Sequence, residues 1–100
     1  HCWILNKAND KMSIAATAFD KNSGRVLQVA TEEPGVQFYI GNFLDGTLPA
    51  KGGGTYGKRS GFCLETQHYP NSPNRPEFPT TRLNPGEVYF TRTTFSLTTR

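Results

Sequence analysis

No ten-residue window of this chain repeats its apolar side chains every 3.6 positions, whereas several short runs alternate apolar and polar residues with a period of two. Chains patterned in this way build strands, and helix is nearly excluded. Six strands are predicted: Cys2–Asn6, Ser13–Asp20, Gly24–Thr31, Val36–Gly41, Gly61–Gln67 and Val88–Leu97. "DKNSG" is a hairpin loop closing on Gly24 between the second and third, and "EEPG" is a turn ahead of the fourth. Asn42–Ser60 is a long glycine-rich loop, and the four prolines of Pro70–Pro79 exclude that stretch from a central strand. The pattern predicts an all-β antiparallel meander with long loops, a small barrel being the second choice.

One hundred residues make at most one domain. A hydrophobic share of 35% with 10 Gly and 7 Pro is lean for a self-sufficient core, yet 12% aromatic and 19% charged residues exclude a disordered chain. The chain opens on "HCWIL", apolar and strand-like with no polar lead-in. It is therefore expected to be part of a larger domain. A net charge of +3, with basic residues scattered from Lys7 to Arg100, gives no footprint for nucleic acid, and Lys51, Lys58 and Arg59 around Tyr56 read as a solvated loop. No apolar stretch approaches 18 residues, so no membrane partner is expected. Two cysteines, Cys2 and Cys63, are too few for a disulfide scaffold; as free thiols they point to a reducing, cytoplasmic setting, with secretion as the alternative. With His1 and His68 they show no metal-ligand spacing, so no metal is expected.

Two local patterns are weak. Gly52–Lys58 satisfies G-x-x-x-x-G-K, but Arg59 stands where a phosphate loop needs Ser or Thr, and a strand follows where it needs a helix. Asp45 before Gly46 is a turn former. Glu65 is different. In a strand over Gly61–Gln67, Phe62, Leu64 and Thr66 face a core, while Cys63, Glu65 and Gln67 face the other way. Gln37 likewise lies opposite the apolar side of Val36, Phe38 and Ile40. A Glu/Gln pair on one sheet face suits the floor of a polar-ligand cleft; a merely wet face is the plainer reading.

"SGRVLQVATEEPGVQFYIGNFLDGT" (Ser23–Thr47), "SGFCLETQ" (Ser60–Gln67), "NRPEFP" (Asn74–Pro79) and "LNPGEVY" (Leu83–Tyr89) fall in the order found in the galactose mutarotase (aldose 1-epimerase) family, which the chain resembles over essentially its whole length. The resemblance implies an antiparallel β-supersandwich of which residues 1–100 are the C-terminal segment, the N-terminal part of the domain being its missing partner. It also implies a substrate such as galactose or glucose, no cofactor, Glu65 as catalytic base and Gln37 as a sugar-binding amide. The family's Asp before the position of His1, its upstream Asn-Arg pair and two active-site histidines have no counterpart here. The acid is therefore expected from the N-terminal part, and the 100 residues alone are expected to be inactive. His68, three residues after Glu65, falls on the opposite face and is not expected to replace it. Phe62 and Leu64 are expected to help bury Glu65 and raise its pKa. The rival reading is a noncatalytic carbohydrate-binding β-sandwich that stacks sugars on Tyr39, Tyr56 or Tyr69.

Overall fold

The computed structural model describes residues 1–9 and 11–100. Its strands are β1 (Cys2–Ile4), β2 (Ser13–Phe19), β3 (Arg25–Thr31), β4 (Gly35–Tyr39), β5 (Cys63–Gln67) and β6 (Thr93–Thr99), with one 3₁₀ turn at Ser72–Asn74. Two antiparallel three-stranded sheets result, ordered β1-β4-β5 and β2-β3-β6. The fold is thus an all-β antiparallel sandwich. The meander expected from local pattern is corrected: β1 pairs with β4 and not with β2, and β3 takes β6 as its second neighbour. Only β2–β3 and β4–β5 are joined as neighbours.

The β2–β3 hairpin forms as the sequence predicts. Asp20 accepts from the backbone N–H groups of Asn22 and Ser23, and Gly24 adopts φ +72° while its N–H donates to the Asp20 carbonyl at 2.9 Å. A Cβ at Gly24 would lie 2.6 Å from the Arg100 carbonyl oxygen, so glycine is required twice over. Between Ile14 and Ala16 the register shifts, leaving Ala15 as a bulge.

Each central strand carries the core. Val26 and Val29 on β3 and Val36 on β4 are buried, Val29 fully. The sheets meet through hydroxyls as well. Thr66 on β5 lies 2.7 Å from Thr93 on β6, and Thr93 lies 2.9 Å from Thr31 on β3, itself fully buried. Elsewhere the sheets stand apart around an open apolar trough of about 600 Å³, walled by Trp3, Ile14, Ala16, Val36, Phe38 and Leu64. Trp3 remains 61% exposed there, and Leu97 on β6 is 80% exposed.

The last strand starts later than predicted. Asn84–Glu87 is a turn, with Gly86 at φ +87° and the Glu87 N–H on the Asn84 carbonyl, and Val88–Arg92 follows as irregular chain outside the strand. Only from Thr93 does the backbone reach β3.

Candidate active site

In β4·β5 the register sets Gln37 directly across from Glu65, between the pairs Gly35↔Gln67 and Tyr39↔Cys63. On the other side of β4, Cys2 of β1 also pairs with Gln37. Strand alternation puts these side chains on the face opposite Val36, Phe38 and Leu64, so Cys2, Gln37 and Glu65 form one row across the sheet. The two residues singled out in the sequence are thereby brought together.

Gln37 is half-buried and lines a recess of about 370 Å³ with His1, Tyr39, Asn42 and Phe43. The Tyr39 and Phe43 rings stack at 6.1 Å between centroids, and the Phe43 N–H donates to the Tyr39 hydroxyl at 3.1 Å. At the other end of the row, Tyr69 covers Gly35, where an added Cβ would come within 3.2 Å of its ring. Tyr69 in turn meets Phe78 edge-on at 5.3 Å, and Arg75 sits over Phe78 while bonding Glu77. The "NRPEFP" loop thus props one wall of the row.

Glu65 is exposed, and among the described residues its carboxylate has no hydrogen-bond or ion-pair partner. The expected burial by Phe62 and Leu64 is corrected, because Leu64 points through the sheet to the trough and Phe62 packs edge-on against Phe38 there. Cys63, two residues before it on the same face, is exposed as well.

The remaining candidates have local roles. Asp45 accepts from the N–H and hydroxyl of Thr47 at 3.0 and 2.6 Å, and Gly46 has φ +85°, as a turn requires. Gly52–Gly54 form a tight reversal in which the Ala50 N–H reaches the Gly54 carbonyl, and no helix follows. The Tyr56 hydroxyl accepts from the Lys51 N–H at 3.2 Å. No three of His, Cys, Asp and Glu gather to hold a metal among the described residues, and no helix there is long and apolar enough to cross a membrane.

One cluster was not foreseen. Glu33, assigned to a turn by its sequence, is only 4% exposed. Its carboxylate bonds His68 Nδ1 at 2.7 Å and accepts the hydroxyl proton of Tyr89. Burial pushes the Glu33 carboxyl up, but the hydrogen bonds from Tyr89 and His68 outweigh it and hold the group below its ordinary range. The same bond raises the Tyr89 phenol. His68 is thus occupied on the side of β5 away from Glu65. The only sequence signal was two adjacent glutamates before a proline, which a surface turn explains equally well.

The aldose 1-epimerase family model matches residues 1–96. Galactose mutarotase of Sus scrofa is 53% identical over 89 residues, which are 89% of this chain and 26% of that protein, and the Homo sapiens galactose mutarotase matches to the same extent. Aldose 1-epimerase of Escherichia coli K12 is 38% identical over 97 residues, covering 95% of this chain and 28% of that protein. The chain spans about a quarter of the length of these relatives. With the expected fold observed and nearly the whole chain matched, it belongs to the aldose 1-epimerase family.

Proposed function

We propose that this chain supplies the catalytic base of a mutarotase that interconverts the α and β anomers of galactose or glucose. The observation that carries the reading is the pairing of Gln37 with Glu65 on one polar row. Ring opening needs a base for the C1 hydroxyl proton and an acid for the ring oxygen; after rotation about C1–C2, the ring closes on the other face. Glu65 is the base. Its lone pairs meet no competing donor among the described residues, so a sugar hydroxyl can take that place. Gln37 both donates and accepts, and it orients neighbouring hydroxyls without drawing off the proton. The C1–O5 bond breaks and re-forms within the sugar, only protons pass between sugar and protein, and no cofactor enters.

The acid and the groups that desolvate Glu65 come from the N-terminal part of the same domain, and the 100 residues alone are inactive. The length of the relatives supports this, as does the open trough beside Trp3 and Phe38. The two unpaired thiols support a reducing, cytoplasmic setting. A noncatalytic sugar-binding module is the second reading, favoured by the Phe43 ring, which is 89% exposed and stacked on Tyr39.

Glu65→Gln in the complete protein separates the two. Polarimetry of freshly dissolved α-galactose should show turnover reduced by about 10²–10⁴ with the circular dichroism unchanged. An unchanged anomerisation rate would remove Glu65 from the mechanism.

A further inference from the structure

Backbone pairing between β4 and β5 ends at Gly35↔Gln67. The next residue outward on the β4 side is Pro34, which has no N–H to donate. Side chains continue where the ladder stops. Glu33 reaches His68, the first residue after β5, and through its other carboxylate oxygen it holds Tyr89 on the approach to β6.

The corner bearing Glu33 is fixed from behind. Its N–H donates to Thr31 Oγ1 at 3.0 Å, and its carbonyl accepts from Lys7 Nζ, which also bonds the Thr31 carbonyl. The neighbouring Glu32 binds Arg92 through its N–H and its carboxylate. A buried carboxylate with two polar side-chain partners on a fixed corner is an anchor, since removing one partner leaves a desolvated charge.

What the anchor holds is a strand of five residues that, among the described residues, is paired on one side only. Side chains alternate, so a slip of β5 by one residue would turn Glu65 to the trough and set Leu64 or Thr66 against Gln37. We propose that Glu33 is a positioning residue whose hold on His68 and Tyr89 locks the β4·β5 register and so keeps Glu65 across from Gln37. Its effect on turnover rests on Glu65 being the base; the lock itself does not.

The test uses the complete protein with Glu33→Ala, Glu33→Gln and His68→Ala, read by amide hydrogen exchange along β5 and by polarimetric kcat and KM. In Glu33→Ala and His68→Ala, exchange over Cys63–Gln67 should quicken by about tenfold or more while the β2–β3 hairpin is unchanged. Turnover should fall by about 10–100-fold with KM within about threefold, and Glu33→Gln, which keeps an acceptor for Tyr89, should recover most of it. Unchanged β5 exchange in both alanine variants, with Glu65→Gln inactive, overturns the lock and leaves the base assignment standing. A loosened β5 with unaltered kcat, in an enzyme that does need Glu65, overturns the positioning role. Loosening alongside a fully active Glu65→Gln sinks the base assignment and supports the lock. If Glu33→Ala does not fold, Tyr89→Phe removes a single oxygen and is read by the same exchange, with the same refuting result.

Discussion

Replacing Thr93 by Val tests whether the sheets are joined by a hydroxyl relay as well as by apolar contact. Thr31 Oγ1 lies 3.3 Å from the Arg92 carbonyl, which can only accept, so Thr31 gives its one proton there. Thr93 must then donate to Thr31, and Thr66 to Thr93. Thr31 is saturated, because it also accepts the Glu33 N–H. Valine at 93 keeps the shape and removes the middle link. Thr31 retains two partners, and Thr66 is left with a half-buried donor and no acceptor. Two lost bonds at about 0.5–1.5 kcal/mol each, offset in part by water reaching Thr66, give a cost of about 1–2 kcal/mol. Thr66→Val alone loses one link, about 1 kcal/mol, and the double variant should cost little more than Thr93→Val, a coupling of about 1 kcal/mol. Urea unfolding of the complete protein at matched m-value measures all three. Strict additivity, or a Thr93→Val cost below about 0.3 kcal/mol, would refute the relay.

Two further outcomes follow from other sites. The Glu33 carboxyl is held below the usual Glu value of 4.5, so its stabilisation is complete above that pH and is lost as pH falls through the lower folded value. The charged and titratable groups around it are His68, Tyr89, the Lys7 ammonium on its carbonyl, the Glu32–Arg92 pair and Arg82 across the adjoining cavity. Glu33→Gln should therefore flatten the acid limb of stability below about pH 4.5, and an unaltered limb would count against the cluster. Cys2 and Cys63 sit on strands that flank β4, two strand spacings and two residues of offset apart, roughly 12 Å, beyond disulfide reach. Alkylation without reductant should modify both, and a species lighter by two hydrogens would contradict this.

Strand positions, the Asp20–Gly24 hairpin and the shared face of Gln37 and Glu65 were legible because they depend on local alternation and turn chemistry. Sheet membership was not. Whether β1 pairs with β2 or β4 is decided by which apolar faces meet, which no short window records. Glu33 was hidden for the same reason, its partners lying 35 and 56 residues away. The start of β6 was misplaced because Val88, Tyr89 and Phe90 carry strand-like side chains, whereas the preceding turn and the Arg92 contact with Glu32 fix where pairing begins. Resemblance to a family pointed to Glu65 as the candidate base, and the register sets it across from Gln37.

The alternation of the chain between sheets sets the order in which the molecule can assemble. It crosses from one sheet to the other three times, after β1, β3 and β5, so neither sheet can be completed by a contiguous segment. β1 waits for residues 35–37, and the open side of β3 waits for residues 93–99, which a ribosome delivers after the other five strands. Only the β2–β3 and β4–β5 pairs can close early, the first through a five-residue loop and the second across the long glycine-rich loop. Long closures of this kind slow folding and leave unpaired edges exposed meanwhile. During synthesis the exposed flank of β3 would therefore be the segment most in need of a chaperone, until Thr93–Thr99 emerges and covers it.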